Sequence, residues 1–148
     1  MEKLLLIDGH SILNRAFYGV PLFTNTAGVH TNAIFGFLNM MFKFIDDEQP
    51  THMVVAFDVH QPTFRHEMFK EYKGTRHAMP EELKEQMPVI KKILMAMNVP
   101  IIELEGYEAD DILGTISNTN EKNNVYTYIL TGDRDSFQLI SSLTAVVM

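Results

Sequence analysis

The chain has 148 residues, of which 46% are hydrophobic, no cysteine, and a formal net charge of −7. This length fits a single domain that buries about two-thirds of its unfolded surface, and the lack of cysteine excludes disulfides and thiolate zinc sites and favours a reducing cytoplasm. The apolar run at 33–45 is too short to span a bilayer, and residues 1–3 lack the basic start of a signal peptide. We therefore expect one soluble, cytoplasmic, monomeric domain with no membrane partner.

The first third of the chain alternates strand-like and helical runs. In order, it predicts a strand over Lys3–Ile7, a helix over Ile12–Phe17, a loop over 19–30, a helix over Ala33–Phe44 and a strand over His52–Phe57. Ser11 is placed to cap the first helix, and Thr31 or Asn32 is placed to cap the second.

The window from 61 to 80 is basic and aromatic. It holds a third of the strong bases of the chain, interleaved with rings; these residues are Arg65, Lys70, Lys73 and Arg76 with Phe64, Phe69 and Tyr72. Cations hold phosphates and rings stack on unpaired bases, so this pattern, with the flexible Gly74, suits a nucleic acid strand. The same charges could instead solvate a surface helix and pair with Glu67 and Glu71.

The rest of the chain continues the alternation. Pro80 suits the first position of a helix, and Pro88 predicts a kink within it. The apolar stripe of that helix is Leu83, Met87, Ile90, Leu94 and Met97. The later elements are a strand over Val99–Leu104, a helix from Glu108 to about Thr119, a polar turn over 118–124, a strand over Val125–Leu130, a helical turn over Ser136–Ile140 and a fifth strand over Leu143–Val147. This order predicts a three-layer α/β fold, a mainly parallel twisted sheet with helices on both faces.

Acidic side chains collect where the predicted strands end. The candidates are Asp8, Asp58, Glu108, Asp110, Asp111, Asp133 and Asp135. Parallel sheets bind ligands beyond the carboxyl ends of their strands, so the fold predicts that these acids share one mouth. Mg²⁺ prefers oxygen ligands, and two ions ~4 Å apart can assist phosphodiester cleavage. Apart from these seven acids, the chain carries 12 acidic and 12 basic side chains, so its charge does not exclude a nucleic acid partner.

Each acidic segment also has a plainer interpretation. Asp8 or Asp58 alone could cap a turn or a helix. The pair at 110–111 could be a solvated first helical turn, and the segment 133–135 could be an Asx turn with a surface ion pair. The six histidines lack the close spacing of a zinc site and are interpreted as structural or surface residues.

Several segments, taken in chain order, match a known family. They are Leu6-Ile7-Asp8-Gly9, Arg15-Ala16-Phe17-Tyr18, Thr31 to Phe37, Ala56-Phe57-Asp58, Phe64-Arg65, Tyr72 to Arg76, Met79 to Leu83, Glu105 to Asp111 and Leu130 to Asp135. Through these segments, which cover nearly the whole chain, it resembles the N-terminal 5′-nuclease domain of bacterial DNA polymerases I. That domain is part of the flap endonuclease superfamily, and the resemblance implies a PIN-like fold.

The resemblance implies a metal-dependent 5′–3′ exonuclease and 5′-flap endonuclease that cleaves DNA or RNA primers in replication and repair. It implies that the seven acids bind or support two Mg²⁺ or Mn²⁺ ions, and that Lys73 and Arg76 act as catalytic cations in a helical arch or clamp at about 61–80. The implied nucleic-acid contacts are Arg15, Tyr18, Thr31, Asn32, Arg65, Tyr72, Lys73 and Arg76. The helix–hairpin–helix-like region of the family, which binds duplex DNA, falls beyond Met148, so residues 1–148 correspond to one N-terminal domain.

Other functions stay open from the sequence. A PIN-type ribonuclease would share the sheet and the acids, although the basic window favours the flap enzyme. A non-catalytic DNA-binding fragment would result if the downstream region were essential for cleavage. A phosphatase with an aspartyl nucleophile fits less well, because Gly9 and His10, rather than a second aspartate, follow Asp8.

Overall fold

The protein is described by a computed structural model that covers residues 2–58, 79–103 and 107–147. Its strands are β1 (Lys3–Asp8), β2 (His52–Ala56), β3 (Ile101–Ile102), β4 (Tyr126–Leu130) and β5 (Thr144–Val147). They form one sheet in the order β3-β2-β1-β4-β5, and every neighbouring pair is parallel. The predicted parallel α/β sheet is confirmed.

Helices cover both faces of this sheet. They are α1 (Gly9–Gly19), α2 (Asn32–Glu48), α3 (Glu81–Lys84), α4 (Gln86–Ala96) and α5 (Ala109–Lys122), and a 3₁₀ helix spans Arg134–Leu139. Successive strand residues point to opposite faces, so Leu5 and Ile7 pack against α1, α2 and α4, whereas Leu6 packs against α5. The predicted three-layer arrangement is confirmed. No helix in the described ranges has the length and apolarity needed to cross a membrane.

The order of the strands reverses beside β1. The chain runs outward from β1 through β2 to β3, and α5 then carries it back to β4 on the other side of β1. Such a reversal opens a crevice between the carboxyl ends of two adjacent strands, because their connections leave in opposite directions. The crevice lies where β1 ends at Asp8 and β4 ends at Leu130.

The first helix begins earlier than the sequence predicts. α1 starts at Gly9, directly after β1, and its N-cap is Asp8, whose Oδ1 accepts a hydrogen bond from the Ser11 N–H (3.4 Å). The prediction of Ser11 as the cap is wrong. Strand and helix meet without a loop, so the aspartate that ends the strand takes the capping position itself.

The second helix ends later than the sequence predicts. α2 continues through Asp46 and Asp47 to Glu48, and the chain turns at Gln49, which has a left-handed conformation (φ 48°). The acidic pair lies on the exposed side of the last turn and is compatible with a helix. Pro50 sets the end, because the residue before a proline is restricted away from the right-handed helical conformation.

The start of α2 is capped by a side chain from another helix. Thr31 occupies the N-cap position, but its side chain makes no capping hydrogen bond to the described part of the chain. Buried Gln86 of α4 accepts hydrogen bonds from the Ala33 and Ile34 N–H groups at 2.8 and 3.1 Å. These hydrogen bonds between distant segments hold α4 against the first turn of α2.

The helix predicted from Pro80 is interrupted. α3 ends at Lys84 and α4 begins at Gln86. Pro88 has no N–H to bond to the carbonyl of Lys84, so the break predicted from the proline falls one turn before it. Pro80 is the N-cap residue of α3 and not its first residue.

The third strand is shorter, and the helix after it longer, than predicted. β3 pairs with β2 only over Ile101–Ile102; Pro100 precedes it and cannot donate to a strand ladder. α5 continues to Lys122, so most of the turn predicted at 118–124 is helical. The predicted fifth strand is confirmed beside β4.

Candidate metal and nucleic-acid site

Three carboxylates lie at the ends of three adjacent strands, beside the crevice. Asp8 ends β1, Asp58 follows β2 by two residues and Asp133 follows β4 by three. The negative charges of Asp58 and Asp133 both act on the carboxyl group of Asp8. These three residues, called the acid cluster below, are the part of the predicted acidic mouth that the structure brings together.

Asp8 is the buried member of the acid cluster, with 5% of its surface exposed. The pKa of Asp8 is raised to about 6, chiefly by burial; hydrogen bonds from Thr131 and Ser11 lower this pKa, and the charges of Asp58 and Asp133 make smaller contributions that raise it. The Thr131 hydroxyl donates to Asp8 Oδ2 at 2.9 Å. Asp8 is therefore a crowded carboxylate whose orientation is fixed at both oxygens.

Asp58 joins the end of β2 to the start of α5. Its Oδ1 accepts a short hydrogen bond from the Ala109 N–H, at the first residue of that helix. Its own N–H donates to His10 Nδ1 at 3.3 Å, and its Oδ2 lies 3.8 Å from the same nitrogen. The carboxylate is thus held between α1 and α5.

Asp133 is linked to Asp8 through a hydroxyl group. The Thr131 hydroxyl that donates to Asp8 also accepts the Asp133 N–H at 3.0 Å. The Gly132 N–H donates to Ser11 Oγ at 2.7 Å. The turn after β4 is consequently held against the first turn of α1.

Glu108 and Asp111 belong to the start of α5. They form a capping box, in which the Glu108 N–H donates to Asp111 Oδ2 at 2.9 Å. Glu108 is buried, and Asp111 borders an open cavity of about 830 Å³ between α5 and the 3₁₀ helix, together with Tyr107 and Gln138. Glu108 and Asp111 therefore both stabilise the start of α5, as acids in a first helical turn commonly do.

Several predicted site residues are beyond what the structure describes. Lys73 and Arg76, predicted as catalytic cations, and Arg65 and Tyr72, predicted to contact nucleic acid, lie outside the described residues. The side chains of the predicted metal ligands Asp110 and Asp135 also lie outside them. Among the side chains in the described ranges, no three acidic or histidine residues form a ready-made metal-binding group.

The remaining predicted nucleic-acid residues divide into exposed and buried ones. Arg15 and Tyr18 are exposed on α1, with 69% exposure for Tyr18. Thr31 is half-buried, and Asn32 is 1% exposed and donates its amide hydrogens to the carbonyls of Phe17 and Val20. The contacts found for Asn32 are internal, so its role at a nucleic acid stays a prediction.

Three residues around the acid cluster have no place in the predicted site. Ser11 was expected only as a cap, His10 only as a structural or surface residue, and Thr131 was not singled out. Each uses its side chain to hold the backbone of a residue near a strand-end acid. The sequence indicates such a role only through position: His10, Ser11 and Thr131 each lie within three residues of Asp8 or Asp133. A polar side chain at that spacing can reach the residues around the acid.

Comparison with known proteins agrees with this architecture. A family model described as "5'-3' exonuclease, N-terminal resolvase-like domain" matches residues 3–148. DNA polymerase I of Bacillus subtilis is 49% identical over 147 residues, which is 99% of this chain and 17% of that protein. DNA polymerase I of Bacillus caldotenax is 50% identical over 140 residues, 95% of this chain and 16% of the polymerase. The chain thus spans about a sixth of the length of these relatives.

Solved structures show the same fold at low sequence identity. A zinc-bound T5 5'-exonuclease superposes with a TM-score of 0.73 at 21% identity, over 98% of this chain and 54% of the other. A T5 D15 flap endonuclease in complex with DNA and metal ions gives a TM-score of 0.70 at 21% identity, with the same shares of the two chains. These likenesses show the fold, and the match of the family model over almost every residue shows the family. The chain belongs to the family of 5′–3′ exonuclease N-terminal, resolvase-like domains.

Proposed function

We propose that the chain is a divalent-metal-dependent 5′-nuclease domain. Its substrates would be DNA with 5′ flaps or 5′ ends, and RNA primers, during replication and repair. The observation that carries the proposal is the acid cluster, three carboxylates from three strand ends at the point where the strand order reverses. The nuclease family and the similarity to DNA polymerases I support it.

The acid cluster fits hard divalent cations. All three members offer carboxylate oxygens, the ligand type that Mg²⁺ and Mn²⁺ prefer. Burial raises the pKa of Asp8, and the charges of Asp58 and Asp133 add to this effect; a bound cation would offset both by favouring the ionised carboxylate. The metal ions in the T5 nuclease structures add support. Bound ions would supply an activated water and stabilise negative charge on the phosphate.

The proposal divides the candidate acids into two groups. Asp8, Asp58 and Asp133 would contact the ions directly, because they lie at the crevice itself. Asp110 and Asp135 would join them, and Glu108 and Asp111 would support the site from the start of α5, so that two Mg²⁺ or Mn²⁺ ions are held. Within this arrangement the Thr131 hydroxyl fixes the orientation of the Asp8 carboxylate and the position of the Asp133 backbone.

Positive and aromatic side chains would bring the substrate to these acids. Arg15 and Tyr18 are exposed on α1, the helix that Asp8 caps, and so can contact a phosphate and a base. We propose that Lys73 and Arg76 contact the scissile phosphate and neutralise developing charge. Arg65 and Tyr72 would bind the 5′ strand beside them. Thr31 would contact the same strand, whereas Asn32 would contribute by holding the connection between α1 and α2.

The test compares acid variants in a cleavage assay. The 148-residue chain is incubated with a 5′-labelled flapped DNA or a single-stranded RNA, in Mg²⁺, in Mn²⁺ and in EDTA. We expect metal-dependent cleavage of the flap, lost in EDTA. Asp58→Asn and Asp133→Asn should each slow it by about 100-fold or more, because each removes a charged ligand worth several kcal/mol in the transition state.

Asp47→Asn is the matched control, because Asp47 is an exposed acid at the far end of α2. It should cleave at the parent rate. Full activity in both cluster variants would refute the metal role. Preference for the RNA substrate would indicate a ribonuclease, and DNA binding without cleavage in any metal would indicate a non-catalytic module.

A further inference from the structure

The first turn of α1 reaches both strands that flank β1. The Asp58 N–H, after β2, donates to His10 Nδ1 at 3.3 Å. The Gly132 N–H, after β4, donates to Ser11 Oγ at 2.7 Å. His10 and Ser11, which follow Asp8 by two and three residues, therefore each accept one backbone hydrogen bond from the segment after a different strand.

We propose that His10 and Ser11 are positioning residues that set the distances of Asp58 and Asp133 from Asp8, and so determine how tightly divalent cations bind. This inference rests on the proposed metal-dependent function. Neither residue needs to touch metal or substrate, because each acts through the backbone of the acid, or of its neighbour, that it holds.

The contacts of His10 fix the place of its ring. Nδ1 accepts the Asp58 N–H and lies 3.8 Å from Asp58 Oδ2. The ring packs edge-on against Phe57, with 6.0 Å between centroids and 75° between planes. The turn lies so close to Phe57 that a Cβ on Gly9 would come within 2.4 Å of its ring. Packing against Phe57 thus fixes the position of the His10 ring, and the hydrogen bond to this ring fixes the backbone of Asp58 after β2.

Ser11 performs the equivalent role towards β4. Its Oγ accepts the Gly132 N–H, and a Cβ on Gly132 would come within 3.0 Å of that oxygen, so the two backbones approach closely. Thr131 Oγ1 lies 3.4 Å from Ser11 Oγ and accepts the Asp133 N–H. Ser11 and Thr131 therefore hold adjacent peptide units of the turn that carries Asp133.

Fixed ligand geometry matters for hard cations. Mg²⁺ tolerates little departure from its preferred coordination geometry, and loss of a residue that orients a ligand typically costs about 10–100-fold in metal affinity or activity. Loss of His10 or Ser11 would free one acid to move without removing any ligand.

The experiment measures Mn²⁺ affinity directly, by electron paramagnetic resonance titration of free Mn²⁺ with the 148-residue chain. His10→Leu and Ser11→Ala remove the acceptors and should each weaken binding by about 10-fold. His10→Asn places an amide oxygen near the position of Nδ1 and should bind within about 2-fold of the parent. His52→Leu, at the exposed start of β2, is the control and should bind like the parent.

Thermal unfolding without metal shows whether each variant is folded. If His10→Leu does not fold, His10→Ala replaces it, because it removes the acceptor without adding an apolar branch. Parent-like Mn²⁺ affinity in a folded His10 or Ser11 variant would overturn the positioning role of that residue, as would failure of His10→Asn to restore binding. A parent chain that binds no Mn²⁺ would overturn the proposed metal site as well, which is a distinct result.

Discussion

Asp8 combines two roles that usually fall to different residues. It caps α1, and it is the buried carboxylate of the acid cluster. A pKa of about 6 against an ordinary value of 3.8 corresponds to about 3 kcal/mol of unfavourable free energy when the group is ionised in the folded chain. A carboxylate kept ionised at this expense to stability is typical of functional sites.

The free-energy cost of ionising buried Asp8 predicts how Asp8→Asn changes stability. The folded pKa lies above the unfolded one, so the folded state holds its proton longer, and the free energy of unfolding falls as pH rises from about 4 to about 6. Asn keeps a cap oxygen and carries no charge. We expect Asp8→Asn to raise the free energy of unfolding at pH 8, without divalent cations, by about 1–3 kcal/mol.

Urea unfolding at pH 5 and pH 8 measures this effect. The gain at pH 5 should be smaller, because part of the parent population is already protonated there. Asp47→Asn is the control for the loss of an exposed charge and should change stability by less than about 0.5 kcal/mol. Equal or lower stability of Asp8→Asn at pH 8 would contradict the assigned burial cost.

Among the elements, α1 and α2 pack unusually closely at Gly36. A Cβ there would lie 2.7 Å from the Cβ and 3.2 Å from the Cα of Ala16. Gly36→Ala should therefore force the helices apart and lower the free energy of unfolding by about 1–3 kcal/mol, although alanine favours a helix. Chemical denaturation measures the change.

Gly114 of α5 provides the matched substitution. Among the residues that the structure describes, a Cβ there would meet only Leu139, at an ordinary contact distance of 3.6 Å. Gly114→Ala should raise stability by up to about 1 kcal/mol, because only the helix propensity changes. Destabilisation of both variants by the same amount would show that close packing of α1 and α2 is not the cause.

The elements also show what the sequence can and cannot predict. Short apolar runs that end in aspartate were sufficient to predict the strands and the shared edge, because parallel strands end on the same side. The start of α1 was missed because Asp8 serves both strand and helix, and the cap of α2 was missed because Gln86 lies 53 residues beyond Ala33. The roles of His10 and Ser11 depend on neighbours brought close only by folding.

For the molecule as a whole, the proposed metal site would couple metal binding to stability. A ligand that binds only the folded state adds about 2.7 kcal/mol at a concentration 100 times its dissociation constant. For a chain of 148 residues, this corresponds to a rise of about 5–10 °C in Tm. We expect Mn²⁺ to raise the Tm of the parent by this amount, and EDTA to reverse the rise.

The same scan identifies the source of the effect. Asp58→Asn should lose most of the Mn²⁺-dependent rise. Asp47→Asn should keep it, since Asp47 lies near the end of α2 that leads into the start of β2, at the opposite edge of the sheet from the crevice. A rise of equal size in both variants would assign the effect to general screening of the net charge.

The reversal of strand order affects when the site can form during synthesis. β1 and Asp8 are synthesised before the other strands of this sheet, and the partner strand that brings Asp133 beside them is made more than 100 residues later, as the pairing of Leu6 with Ile129 shows. Pairings across such a separation form late, because a long loop must close before they give any gain. A nascent chain therefore carries no assembled acid cluster until the last third of the domain has emerged, so the cluster is a property of the assembled sheet and of no earlier stage of synthesis.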